Sequence, residues 1–300
     1  MKKFMMMVAV MAAMMGCEKP IIESDSVVDN GVSSGANASE AVKNGKNFTF
    51  TVKGDFSTEW KSVTRGYLSA DGKDMTDLWV MDYMNGELVQ QVHQVATDEN
   101  FGKPAMRLAY GSHHVYFVAS RGMAPTMNAG EQAIVWEKPS DTFWKDYEVE
   151  VVSTSNGNRA VTLDRVATKL KLTVTDDVPA ECAEVAVTPG AWYYGLDYVR
   201  GVAIESQQTE RVIEVPASYI GTAGQLAVTI FGLSGSEEWS TSVTIEGRDA
   251  DGDVLGVATM NDVPFKRNRV TEYSGPLFGS HGDMVLTLGS EWEETVTGTW

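Results

Sequence analysis

Cys17 carries the clearest chemistry in the sequence. It closes Met14-Met15-Gly16-Cys17, at the end of a twelve-residue apolar run from Phe4 to Met15 that follows Lys2 and Lys3. A positive start, a short apolar run and a small residue before the cut describe a secretory signal. Twelve residues are too few to cross a bilayer, which takes about 20. A thiol directly after the small residue can be acylated and become the new N-terminus. Residues 1–16 are therefore predicted to be a lipoprotein signal peptide and Cys17 the lipidation site. Met14 and Met15 depart from the usual Leu-then-small pattern, and the alternative is a plain secretory signal followed by an incidental cysteine. With Cys17 lipidated, Cys182 is the remaining thiol. No intramolecular disulfide is then available, and packed sheets must supply the stability. Cys182 has no histidine or basic cluster near it in sequence, so it reads as buried and inert.

Four other groups of residues invite a chemical reading. Trp192, Tyr193, Tyr194 and Tyr198, within "AWYYGLDY", could stack on a sugar ring, but aromatics also fill sandwich cores. No binding pattern of Asp, Asn or Arg flanks them, and core packing is the favoured account. "DADGDV", residues 249–254, looks like a calcium loop. However, Gly252 stands fourth rather than sixth, and position twelve is Ala258 rather than a bidentate Glu. A hairpin turn explains it better. His93, His113, His114 and His281 share no metal-ligand spacing with a Cys or carboxylate, so they read as structural or exposed. Finally, Lys266, Arg267 and Arg269 crowd into "FKRNR". On a strand, Phe265, Arg267, Arg269 and Thr271 would share one face and Lys266, Asn268, Val270 and Glu272 the other. The charges are then split rather than gathered into a patch.

Composition narrows the function further. The formal charge is −17, and losing Lys2 and Lys3 makes it two more negative. Such a surface repels nucleic acid. There is no nucleophile elbow, no phosphate loop and no paired-carboxylate motif that falls on one face. A non-enzyme without a cofactor or resident metal is expected.

The elements that must position these residues are strands. Phe48, Phe50 and Val52 alternate with Thr49, Thr51 and Lys53. The same period of two returns in "DLWVMDY", "ELVQQVHQ", "HHVYFVAS", "AIVWE", "YEVEVV", "KLKLTVT", "RVIEV", "LAVTIFG" and "MVLTL". Asn85-Gly86, Asn156-Gly157, Asp71-Gly72 and Asp251-Gly252 are hairpin-type dipeptides. No segment has helical periodicity over a helical length. The prediction is an all-β protein of β-sandwiches. Residues 17–46, rich in Gly, Ser and Asn, read as a flexible tether. An N-terminal sandwich over 47–163 and a C-terminal one over 164–300 follow.

Four stretches together resemble the fimbrillin-like lipoproteins of Bacteroidales, which include the anchor and minor-subunit proteins of type V pili. They are "TRGYLSADGKDMTDLWVMDYMNGELVQQVHQ", "LAYGSHHVYFVASRG", "LDRVATKLKLTVTD" and "VPFKRNRVTEYSGPLFG". The resemblance runs from about Phe48 to the C-terminus. It implies two transthyretin-like β-sandwich domains in tandem, export as a lipoprotein, and a lipid anchor through Cys17 in the cell outer membrane, exposed at the surface. It also implies other fimbrial subunits as partners, through strand exchange. There a donated strand fills a neighbour's groove, with main-chain hydrogen bonds for affinity and alternating pockets for register. In polymerising members a protease cuts after an Arg behind the first strand. Arg65-Gly66 stands at that place here, although an ordinary loop arginine is the favoured account, because anchor members keep their first strand. Cutting at Arg65 would discard Cys17, so the two fates exclude each other, and the expectation is an anchor or accessory subunit. The alternative function is a surface glycan-binding lipoprotein that uses the aromatics at 192–198. The tail "DMVLTLGSEWEETVTGTW" fits either a closing strand or a donor strand.

Overall fold

The computed structural model describes residues 44–54, 75–235, 238–279 and 285–288. Cys17, Arg65, Gly66, His281, the Asp71-Gly72 dipeptide, the signal peptide and nearly all of the tether lie outside the described residues.

The described chain is 65% strand and 1% helix, so the all-β expectation holds. In order these are β1 (Gly45–Gly54), β2 (Asp77–Met84), β3 (Glu87–Val95), β4 (Ala105–Ala109), β5 (Gly111–Ser120), β6 (Met123–Asn128) and β7 (Ala133–Lys138). There follow β8 (Thr142–Val151), β9 (Asn158–Arg165), β10 (Ala167–Val174), β11 (Glu184–Pro189), β12 (Trp192–Asp197) and β13 (Val202–Gln207). The last are β14 (Arg211–Glu214), β15 (Ala227–Leu233), β16 (Trp239–Arg248), β17 (Val254–Phe265), β18 (Val270–Gly275) and β19 (Val285–Leu288). A single 3₁₀ turn, Ala217–Tyr219, is the helix among the described residues, and none there is long and apolar enough to cross a membrane.

The strands form a seven-stranded sheet, β3-β2-β5-β8-β9-β1-β4, and three four-stranded sheets: β15-β10-β18-β19, β14-β11-β16-β17 and β13-β12-β7-β6. The last takes two strands from each side of residue 163, β7 pairing antiparallel with β12 through Gly195↔Val135 and Leu196↔Ile134. Every described residue belongs to one unit.

Three cores hold these sheets. The first gathers Phe48, Phe50 and Val52 of β1 with Leu78, Val80, Val115, Phe117 and Leu163. The second gathers Leu170, Leu172, Val185, Val187, Trp192, Val243, Ile245 and Phe265. The third joins Trp79, Met81, Tyr83, Tyr116, Val118, Ile134 and Trp136 to Val166, Leu196, Tyr198 and Leu233. Strand parity explains how the first and third share a sheet. In β2, Leu78 and Val80 point to the first core, and Trp79, Met81 and Tyr83 to the third. β2 therefore reads as a continuous buried run rather than a half-buried one, because its sheet is covered on both faces.

Hairpin chemistry follows the sequence at Asn85-Gly86, where both φ angles are positive, 53° and 82°, as a tight hairpin turn requires. The "FKRNR" stretch departs from expectation. β17 ends at Phe265 and β18 starts at Val270, so Lys266 to Arg269 form a turn and not a strand. Asn268 adopts φ 55°, a left-handed conformation that ends pleating, and the predicted division of the charges between two faces does not occur. Val285–Leu288 closes the β15-β10-β18-β19 sheet, antiparallel to β18 of its own chain.

Candidate functional site: the β1 insertion

β1 lies inside the seven-stranded sheet and not at its edge. It runs parallel to β9, Phe50 opposite Arg159 and Val52 opposite Val161, and antiparallel to β4. The amide of Thr49 donates to the Gly157 carbonyl at 2.7 Å, that of Phe50 to Pro104 at 3.0 Å, and that of Val52 to Gly102 at 2.9 Å. Gly157 fits because a Cβ there would meet the Asn47 carbonyl oxygen at 2.1 Å. Phe48, Phe50 and Val52 are all completely buried. The Phe50 ring meets Phe117 edge-on at 5.1 Å, and the Arg159 guanidinium lies over Phe48 at 5.4 Å. Each such side chain contributes about 1.5–3 kcal/mol relative to leaving it in water.

β1's place in the chain gives this geometry its interest. β5, β8 and β9 separate it from β2, the next described strand. It is joined to the rest of the described chain at Gly54 alone, through residues 55–74, which include Arg65. Were a strand so placed to leave the sheet, no other described strand would have to rethread. Its departure would open a groove with unpaired backbone on β9 and β4 and three apolar pockets, the elements of β-augmentation.

The aromatic cluster is divided rather than assembled. Trp192 lies in the second core, its indole N–H donating to the Phe231 carbonyl at 2.8 Å. Tyr198 lies in the third core, its hydroxyl 3.0 Å from that of Tyr83, and burial pushes its pKa up. Tyr193 is half-buried against Trp239. Tyr194, also half-buried, donates to Glu205 at 3.5 Å. The four side chains do not share one surface, and packing accounts for Trp192 and Tyr198.

The remaining candidates fall out as follows. Asp249 accepts the backbone N–H groups of Asp251 and Asp253 at 3.0 and 2.8 Å, so its carboxylate caps the β16–β17 turn. Cys182 is buried, and burial raises its thiol pKa. His93 stacks on Trp79 at 4.7 Å and bonds Asp77 at 2.8 Å. His113 is buried against Asp82. The basic turn is a clamp: Arg165 donates to Asn268 at 3.2 Å and pairs with Asp141 through two bonds of 2.8 and 3.1 Å. Arg267 donates to the Gly201 carbonyl, and Asn268 N–H donates to Ala167 at 2.9 Å.

One grouping had no signature in sequence spacing. His114, Asp146 and Glu148 place their ligand atoms within 4.8 Å of one another, and His114 and Glu148 are directly paired across β5 and β8.

No family model and no curated protein matches the sequence. Among solved structures, a candidate adhesin from Bacteroides ovatus is 12% identical with a TM-score of 0.51, over 77% of this chain and 87% of that one. A fimbrial assembly protein from Parabacteroides distasonis is 10% identical with a TM-score of 0.47, over 85% and 99%. The fimbrial anchor protein Mfa2 from Porphyromonas gingivalis is 9% identical with a TM-score of 0.43, over 76% and 90%. The first of these likenesses shows that the fold is shared.

Proposed function

We propose that this chain is a subunit of a cell-surface fimbria, an anchor or accessory component tied to the outer membrane through acylated Cys17. It contributes to adhesion and meets other subunits by strand exchange. Residues 47–163 and 164–300 act as its two sandwich units. The reading rests chiefly on β1, the first described strand, which is inserted between β9 and the edge strand β4. Support comes from the lipobox-like segment before Cys17 and from the fold shared with a candidate adhesin. The role is structural, not catalytic.

The anchor form keeps β1 in place, so its own strand fills its own groove. The intact mass of the protein from the native envelope tests this. An N-terminus at acylated Cys17 is the expected result. A species starting at Gly66 would have lost both lipid and β1, and would overturn the anchor reading in favour of a stalk subunit. The groove is tested separately with a chain that begins at Gly66. A peptide of sequence GKNFTFTVKG should bind it and raise its melting temperature, and the same peptide with Phe48 and Phe50 changed to Asp should do neither. Equal behaviour of the two peptides would sink strand exchange at this groove.

A further inference from the structure

We infer that His114, Asp146 and Glu148 form a binding site for a borderline divalent cation of the Zn²⁺ type. Two adjacent strands supply the ligands. On β8, Asp146, Glu148 and Glu150 follow at every second position and share one face. Across from them on β5 stand Tyr116, His114 and Ser112 in direct register. The row holds three carboxylates, and neither strand offers it a cation: Lys145 has the opposite parity and pairs with Asp164 at 2.9 Å, and His113, also of the opposite parity, is buried against Asp82.

The spacing suits a metal. His114 Nδ1 lies 3.1 Å from both carboxylate oxygens of Asp146. A cation held about 2.0–2.2 Å from imidazole nitrogen and carboxylate oxygen separates its ligand atoms by about 3.0–3.5 Å. Glu148 makes no hydrogen bond or ion pair among the described residues, so its carboxylate is free to turn inward by the remaining ångström or so. One imidazole and two carboxylates are a borderline donor set, suited to Zn²⁺ ahead of Ca²⁺ or Mg²⁺, which take oxygen ligands. The backbone at the site is rigid, since β5 and β8 pair continuously from Gly111↔Val151 to Ser120↔Thr142, and the His114 ring lies nearly parallel to the ring of Tyr116, 6.0 Å away. His114 and Glu148 are exposed, which leaves open coordination positions for water.

The experiment is calorimetric titration of the tag-free chain with Zn²⁺ alone. The expected result is one saturable site, weakened about tenfold or more by His114→Ala and by Glu148→Gln, and unchanged by His93→Ala at the separate His93–Asp77 pair. Thermal melts in the absence of metal should coincide for the native, His114→Ala and Glu148→Gln proteins, because His114 and Glu148 are exposed. Absence of saturable binding, or binding that survives His114→Ala, would overturn the site. Neither result bears on strand exchange or lipidation.

Discussion

Among single residues, His113 carries the sharpest prediction. Its Nδ1 lies 2.7 Å from Asp82 Oδ1 and its Nε2 3.1 Å from the Ala109 carbonyl. Both partners only accept, so both ring nitrogens hold protons and the ring is a buried imidazolium. Gln90 donates to the other Asp82 oxygen at 3.1 Å, which leaves the carboxylate well satisfied. Burial works to lower the His113 pKa, but the hydrogen bond and charge of Asp82, the Ala109 carbonyl and Glu150 outweigh it, and the net shift is upward. A raised folded pKa means that the unfolded chain releases this proton first as pH rises. The pair's stabilisation is thus complete below about pH 6.5, and is lost as pH climbs through the higher folded value. Melting temperature should fall over that window in the native chain, and His113→Gln should flatten the trend. His113→Ala should cost about 3–5 kcal/mol at pH 6, because it strands the Asp82 charge. A pH profile that is the same in native and His113→Gln proteins would show the ring to be neutral. Sequence alone places His113 and His114 side by side with equal claims. Pleat parity sends one into the first core and the other to solvent, and partners 31 and 32 residues away in sequence decide what each does.

Individual strands were the most legible level, because period-two patterning needs no knowledge of neighbours. β1, β10 and β15 lie where alternation puts them. The pattern failed where tertiary context adds a second layer. β2 and β5 are buried on both faces, which a half-buried template cannot express, and "FKRNR" alternates plausibly yet turns. At that turn Asn268 combines a positive φ with a side-chain oxygen that accepts from Arg165 and an N–H that donates to Ala167. The left-handed conformation costs about 1–2 kcal/mol for an ordinary L-residue, and a lost hydrogen bond to a charged group adds about 1.5–3 kcal/mol. Asn268→Ala should therefore destabilise by about 2.5–5 kcal/mol in urea unfolding. Asn268→Gly, which relieves the backbone but still lacks the acceptor, should recover part of that loss. If glycine is no better than alanine, the left-handed backbone is not what selects Asn here. Of the three basic residues in the stretch, Arg267 ties the β17–β18 turn to the Gly201 carbonyl and Arg269 pairs with Glu238, while Asn268 holds the turn to the β9–β10 junction.

For the whole molecule, the third core sets the level of cooperativity. A division at residue 163 leaves the first core wholly before it and the second wholly after it, but Trp79, Tyr116 and Trp136 meet Leu196, Tyr198 and Leu233 across it. The β7–β12 pairing carries backbone hydrogen bonding across the same line, and the indole N–H of Trp144 donates to the Tyr198 carbonyl at 2.7 Å. Separating the halves would expose this apolar surface on both, so each half is stabilised by the other and the two should unfold together. The native chain should show one endotherm in scanning calorimetry. Leu196→Ala, a fully buried truncation in the C-terminal half, should cost about 2–5 kcal/mol and shift that single endotherm intact. Amide exchange in β5, which lies in the other half, should speed up with it. Two endotherms of which Leu196→Ala moves one, with β5 exchange unchanged, would mean that the shared core joins two independently folding sandwiches.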